Sequence, residues 1–162
     1  MKKKLMGILI LVLLILIIVN FTLIINNNNK AEYLKDYYKA AYFSVLGVEE
    51  SLLEYSALQE EFLKDESLLK QRLNGDFDSE SSLISIQMRS TWNLMVIDRE
   101  FNDQFYEPAH TTVLKSINNL NSAEDETEFR ETLDELNDAI QQFSKVEEKA
   151  SQNYMDKLGN DS

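Results

Sequence analysis

The chain has no cysteine, one proline, one histidine and four glycines among its 162 residues. Each scarcity removes a class of chemistry. Without cysteine there are no disulfides, thiolate metal sites or cysteine nucleophiles, and no lipid anchor attached through an N-terminal cysteine. One histidine, His110, leaves any Ser-His-Asp system dependent on a single imidazole. Glu107 and His110 have the Glu-x-x-His spacing of carboxylate-bridged di-metal bundles, but those sites use the motif twice. No Gly-rich phosphate loop is present. Positive charge is also scarce: three of the sixteen basic residues are Lys2, Lys3 and Lys4, so the remaining thirteen face twenty-eight acidic ones. So acidic a body lacks the Lys/Arg footprint that nucleic acid requires. No catalytic group, cofactor or metal is expected, and nucleic acid is excluded as a partner.

What the chain does have begins with an oily run. From Leu5 to Ile25 only Gly7, Asn20 and Thr22 interrupt apolar side chains. About 21 residues at ~1.5 Å each span the ~30 Å hydrocarbon core of a bilayer. A cleaved signal carries a shorter core of ~7–15 residues and a small-x-small site, and "INNNNKAEY" supplies no such site. The run therefore reads as a retained anchor in contact with lipid. Lys2–Lys4 before it place the N-terminus in the cytoplasm by the positive-inside rule. Asn20-Phe21-Thr22 matches a glycosylation pattern but falls inside the span. The boundaries are a basic N-terminus (1–4), an anchor (5–25), a polar linker (26–30), an extracytoplasmic bundle (31–158) and a tail (159–162). The Ile, Leu, Asn and Lys bias has a bacterial look.

Scarce Pro and Gly, with no sustained period-2 alternation, make the body all-α. An antiparallel three-helix bundle is expected. The first helix carries Leu34, Tyr38, Ala41, Val45, Val48, Leu52, Tyr55, Gln59, Phe62, Glu66, Leu69 and Leu73 at 4-3 spacing, mostly apolar. Tyr42, Leu46, Leu53 and Leu63 widen that face. Lys70 and Arg72 suit the helix's negative end, and Asn74-Gly75 is a stop signal. Asp78 or Ser79 can cap a second helix over about 80–121, kinked near Pro108. Ser122 with Asp125 approximates a capping box for the third, whose seam runs Phe129, Leu133, Leu136, Ile140, Phe143, Val146, Ala150 and Tyr154. That plan puts residues 74–79 and the C-terminus together at the tip, and the loop around Asn121–Asp125 near the bilayer. It is similar in architecture to the membrane-tethered helical sensor domains of bacterial receptors. Those usually add a fourth helix, a second span and an output domain.

Two surfaces are candidates for binding. Asp76, Asp78 and Glu80 form an acidic tip able to steer a basic partner. They alternate like calcium-loop positions, but Ser81 and Gln87 stand where that loop needs Gly and Glu. Lys30, Tyr33, Lys35 and Tyr37, just past the span, suit a headgroup collar. The expected role is non-enzymatic: binding or scaffolding a protein of the cell envelope, with homo-oligomerisation open. The alternative is a ligand-responsive sensor accessory or an immunity-type protective protein. An exposed apolar stripe on the first or second helix would favour the former, a buried polar pocket near Pro108 and His110 the latter.

Overall fold

A computed structural model describes the backbone of residues 2–75, 79–96 and 98–159, and the side chains of 17, 19–20, 22–27, 29–75, 81–96 and 98–156. Every element among the described residues is helical. The chain divides into two compact units, Met1–Tyr37 and Tyr38–Ser162. Helix α1 (Lys2–Phe62) contributes to both.

In the first unit, Ile17, Val19, Leu23, Ile24 and Ile25 are exposed. Among the described residues no helix is long and apolar enough to cross a membrane. The run expected to be the anchor, 5–25, lies for the most part outside the described side chains.

The second unit is a bundle of four long antiparallel segments rather than three. The continuous helix expected over 80–121 is broken at Val96–Asp98. α3 (Ser79–Met95) ends there, and α4 (Arg99–Phe101) begins a new rod that continues through a π-helical segment (Asn102–Tyr106) into α5 (Glu107–Asn121). The Tyr106 hydroxyl donates to the Met88 carbonyl at 2.9 Å. Eighteen residues apart on one straight helix, those residues would stand ~27 Å from each other. The chain has reversed. Asp98 makes the reversal possible: its carboxylate accepts from the Phe101 amide at 3.3 Å and from the Asn153 amide group at 2.8 Å. It caps the new rod and ties it to α6 (Glu126–Gly159).

Pro108 does not break the helix. It falls in the first turn of α5, directly after the π segment, where the Glu107 amide bonds to the Asn102 carbonyl five residues back. The wider turn makes room for a ring that removes a donor and crowds the preceding turn. A second expectation is also revised: the first helix stops at Phe62, not Leu73. Asp65 adopts an extended backbone and accepts from the amides of Ser67 and Leu68, starting the separate helix α2 (Glu66–Leu73). Asn74 and Gly75 follow α2, and Gly75 has the positive φ of +87° that glycine permits without strain. Ser122 closes α5 by donating to the Asn118 carbonyl rather than capping α6; there the Asp125 carboxylate accepts from the Glu128 amide, and the Glu128 carboxylate from the Glu124 amide.

Side-chain pairs fix the directions. Ser44 bonds Thr91 across α1 and α3. Tyr42 donates to Glu147 and stacks on Tyr154, while Ser56 reaches Asn137, so α1 and α6 run antiparallel. Asn119 donates to Glu135 and Tyr106 packs edge-on against Phe143, so α5 and α6 do too. The result is up-down-up-down packing. Val45, Val48, Leu52, Met88, Val113, Leu136 and Phe143 form a core with no exposed surface. Leu53, placed on the widened face, is instead 52% exposed.

The reversal also rearranges the ends. Asp156 lies with Asp98 and Glu100 beside one cleft, the end marked by Tyr42 and Tyr154. The opposite end, marked by Phe62 and α2, holds Asn121, so the α5–α6 loop sits there. Asn74 and Gly75, which follow α2, therefore lie at the opposite end of the bundle from Asp156. That runs against the expected meeting of this stretch with the C-terminus, whose residues 160–162 lie outside the described residues.

Candidate docking groove

Asp76 and Asp78 lie outside the described residues, and Glu80 is in the first turn of α3 with its side chain also outside them. Lys30, Tyr33 and Lys35 are exposed on α1 in the first unit, Tyr33 by 68%, and Tyr37 is half-buried. Lys30, Tyr33 and Tyr37, at i, i+3 and i+7, share one stripe of the helix.

Three other arrangements concentrate chemistry in the second unit. At the α2 end, Arg72 is only 3% exposed. Its Nε donates to Gln59 Oε1 at 2.9 Å and its Nη2 to Asn121 Oδ1. The Tyr55 hydroxyl donates to that same amide oxygen, and the guanidinium lies 5.8 Å from the centre of the Phe129 ring. Arg72 thus joins α1, α2, α5 and α6. Among the described residues it makes no ion pair; neutral amide oxygens and a ring face hold it. Sequence reasoning read it as a helix-end cation beside Lys70, but only Lys70 stays in solvent, paired with Glu66 at 2.7 Å.

His110 stacks on Tyr106, and its Nε2 is buried with no hydrogen-bond partner. Burial holds its imidazole below the ordinary value of 6.5, and nearby Arg89 acts in the same direction against Glu107. The ring is therefore neutral at neutral pH. Among the described residues no hydroxyl hydrogen-bonds to it. Burial likewise pushes the Tyr106 phenol up. A cleft of about 380 Å³ opens between α4 and α6, lined by Asp98, Glu100, Phe105, Lys149 and Asp156 among others, with Lys149 Nζ 4.8 Å from the Phe105 ring centre. Among the described residues no group of three His, Asp or Glu is placed to hold a metal.

The third arrangement lies along the seam of α1 and α3. Gly47 lets the helices approach closely: a Cβ there would meet Gln87 Nε2 at 3.3 Å. Beside this point a groove of about 350 Å³ opens. α1 supplies Ser51, Glu54, Tyr55 and Leu58; α3 supplies Leu83, Ile84 and Gln87. Ile84 and Met88 face the core, which turns Leu83 and Ile86 outward, and each is 66% exposed. Across the groove α1 presents Glu50, Glu54 and Glu61, all exposed. From Ala40 to Leu63 the chain has no basic residue, and α3 has only Arg89. Arg89 acts on His110, on the side of α5.

Leu83 and Ile86 were missed in the sequence reading although the signal was present. In "SSLISIQM" the 4-residue step from Ile84 to Met88 accounts for one face, and two large apolar residues remain off it. No family model, curated protein or solved structure matches this chain, so the groove's own chemistry carries the functional reading.

Proposed function

We propose that this chain is a single-pass membrane protein whose acidic helical bundle, displayed outside the cell, binds or scaffolds another protein of the envelope without catalysing a reaction. The observation that carries the reading is the exposed Leu83–Ile86 pair above the α1–α3 groove. Scattered apolar side chains on a surface need no explanation, but a pair one turn apart beside a cleft is a surface suited to a partner. Covering each side chain would contribute on the order of 1–2 kcal/mol, given ~25 cal/mol per Å².

The anchor is the apolar run 5–25, supported by its length and by Lys2–Lys4 before it. Lys30, Tyr33, Lys35 and Tyr37 would then sit at the headgroup level, where amphipathic side chains settle. Asp76, Asp78 and Glu80 would steer an approaching basic partner.

In-cell crosslinking of the intact protein, with identification of the captured species, tests this reading. The double variant Leu83→Glu/Ile86→Glu should lose the species captured by the parent chain. Its melting should be almost unchanged, within ~0.5 kcal/mol per site, because both positions are exposed. Undiminished capture by that variant would remove the groove from the account.

A further inference from the structure

We infer that the occupant of the α1–α3 groove is a basic amphipathic α-helix of a partner protein. The inference rests on the docking reading above and specifies the partner's chemistry. Three observations converge on it.

The first is shape. The groove lies between two antiparallel helices, and its α1 wall runs from Ser51 to Leu58. That length is ~10 Å, or about two turns of a docked helix. A helix offers anchors at i, i+3, i+4 and i+7 to such a groove. The second is the apolar contact. Leu58 of α1 and Leu83 of α3 line the groove from its two walls, and Ile86 extends the exposed apolar surface of α3 one turn beyond Leu83.

The third is charge. Glu50, Glu54 and Glu61 are spaced by four and seven residues, so they lie within ~40° of one another around α1. They make one acidic rim with no cation on the same helix between Ala40 and Leu63. An apolar floor with an acidic rim complements a helix that has an apolar face flanked by Lys and Arg.

The same rim argues against the other occupants. A second copy in two-fold contact would set the glutamates against themselves. Anionic lipid headgroups and nucleic-acid phosphates would meet like charge.

The test uses the full chain in non-ionic detergent and a fluorescent synthetic helix of Leu and Lys in amphipathic order. Two controls accompany it: the same composition scrambled, and a Leu/Glu analogue. Binding is read by anisotropy against empty micelles. The ordered basic peptide should bind, and Glu50→Gln/Glu54→Gln/Glu61→Gln should weaken it about tenfold at low salt, with the gap closing at high salt. Leu83→Ser/Ile86→Ser, which removes the apolar contact without adding charge, should weaken it by more than the charge triple, roughly thirtyfold, at both salts. Equal binding of the scrambled peptide, or equal binding by the Leu83/Ile86 variant, would overturn the inference. If the basic peptide fails to bind while Leu83→Glu/Ile86→Glu still abolishes in-cell capture, the basic-helix inference falls and the docking reading stands. If both effects are missing, both fall.

Discussion

Leu136→Asp is expected to destabilise the bundle by about 3–5 kcal/mol, a large fraction of the ~5–15 kcal/mol that holds a domain folded. Leu136 has no exposed surface and sits at the centre of the α6 seam, between Leu133 and Ile140, which are also buried. A carboxylate there would be either ionised without a partner or neutral with its hydroxyl unsatisfied. Leu52→Asp should act alike, because Leu52 occupies the corresponding depth on α1. Chemical denaturation followed by circular dichroism would read the loss. An unchanged transition for either variant would mean that the seam had been misassigned.

Arg72→Ala should have the second largest effect, about 2–4 kcal/mol. The change removes the donor to Gln59 and Asn121 and leaves two buried amide oxygens with fewer partners. It also removes the guanidinium from the Phe129 ring. Arg72→Lys should recover little, because an ammonium cannot reproduce a fork that reaches two acceptors on different helices. Arg72→Met combined with Gln59→Leu should lose less than Arg72→Ala, since removing both partners of a buried polar contact spares the unsatisfied group. If Arg72→Ala melted like the parent, the polar cluster would be a consequence of packing rather than a cause of it.

The helical character and most of the core were legible in the sequence, and the reversals were not. The α6 seam from Phe129 to Ala150 is buried throughout, as its 3-4 rhythm implied. The three-helix plan failed because Pro108 was weighed as the disruptive residue while Asp65 and Asp98 were not. Both breaks share a quieter mark. After Phe62 the rhythm lands on Asp65 or Glu66, and after Met95 on Asp98 or Arg99, so charged residues fall where a core-facing side chain was due. At each break the aspartate caps the next helix. A proline, by contrast, was absorbed by one π-helical turn.

The groove was illegible for the same reason. With the first helix extended to Leu73, Thr91 would stand opposite about residue 62, far along the rod from Ser44, and no surface shared by Gly47 and Gln87 would exist. Arg72 was misread because helix-end charge complementarity is a local rule, whereas the buried site depends on Gln59, Asn121 and Phe129 arriving from three other segments.

The break of the first helix at Phe62 sets the α1–α3 register on which the functional account stands, and one disulfide measures it directly. The chain contains no cysteine, so Ser44→Cys/Thr91→Cys introduces a single pair without competitors. The two hydroxyl oxygens are 2.5 Å apart, close to the separation of bonded sulfurs. Mild oxidation of the full chain should close that pair within one molecule, seen as a mobility change that reductant reverses. A first helix continuous to Leu73 would instead set Thr91 opposite about residue 62, roughly 27 Å from Ser44. A pair that stayed reduced, or that joined only between molecules, would contradict the α1–α3 packing and the groove with it.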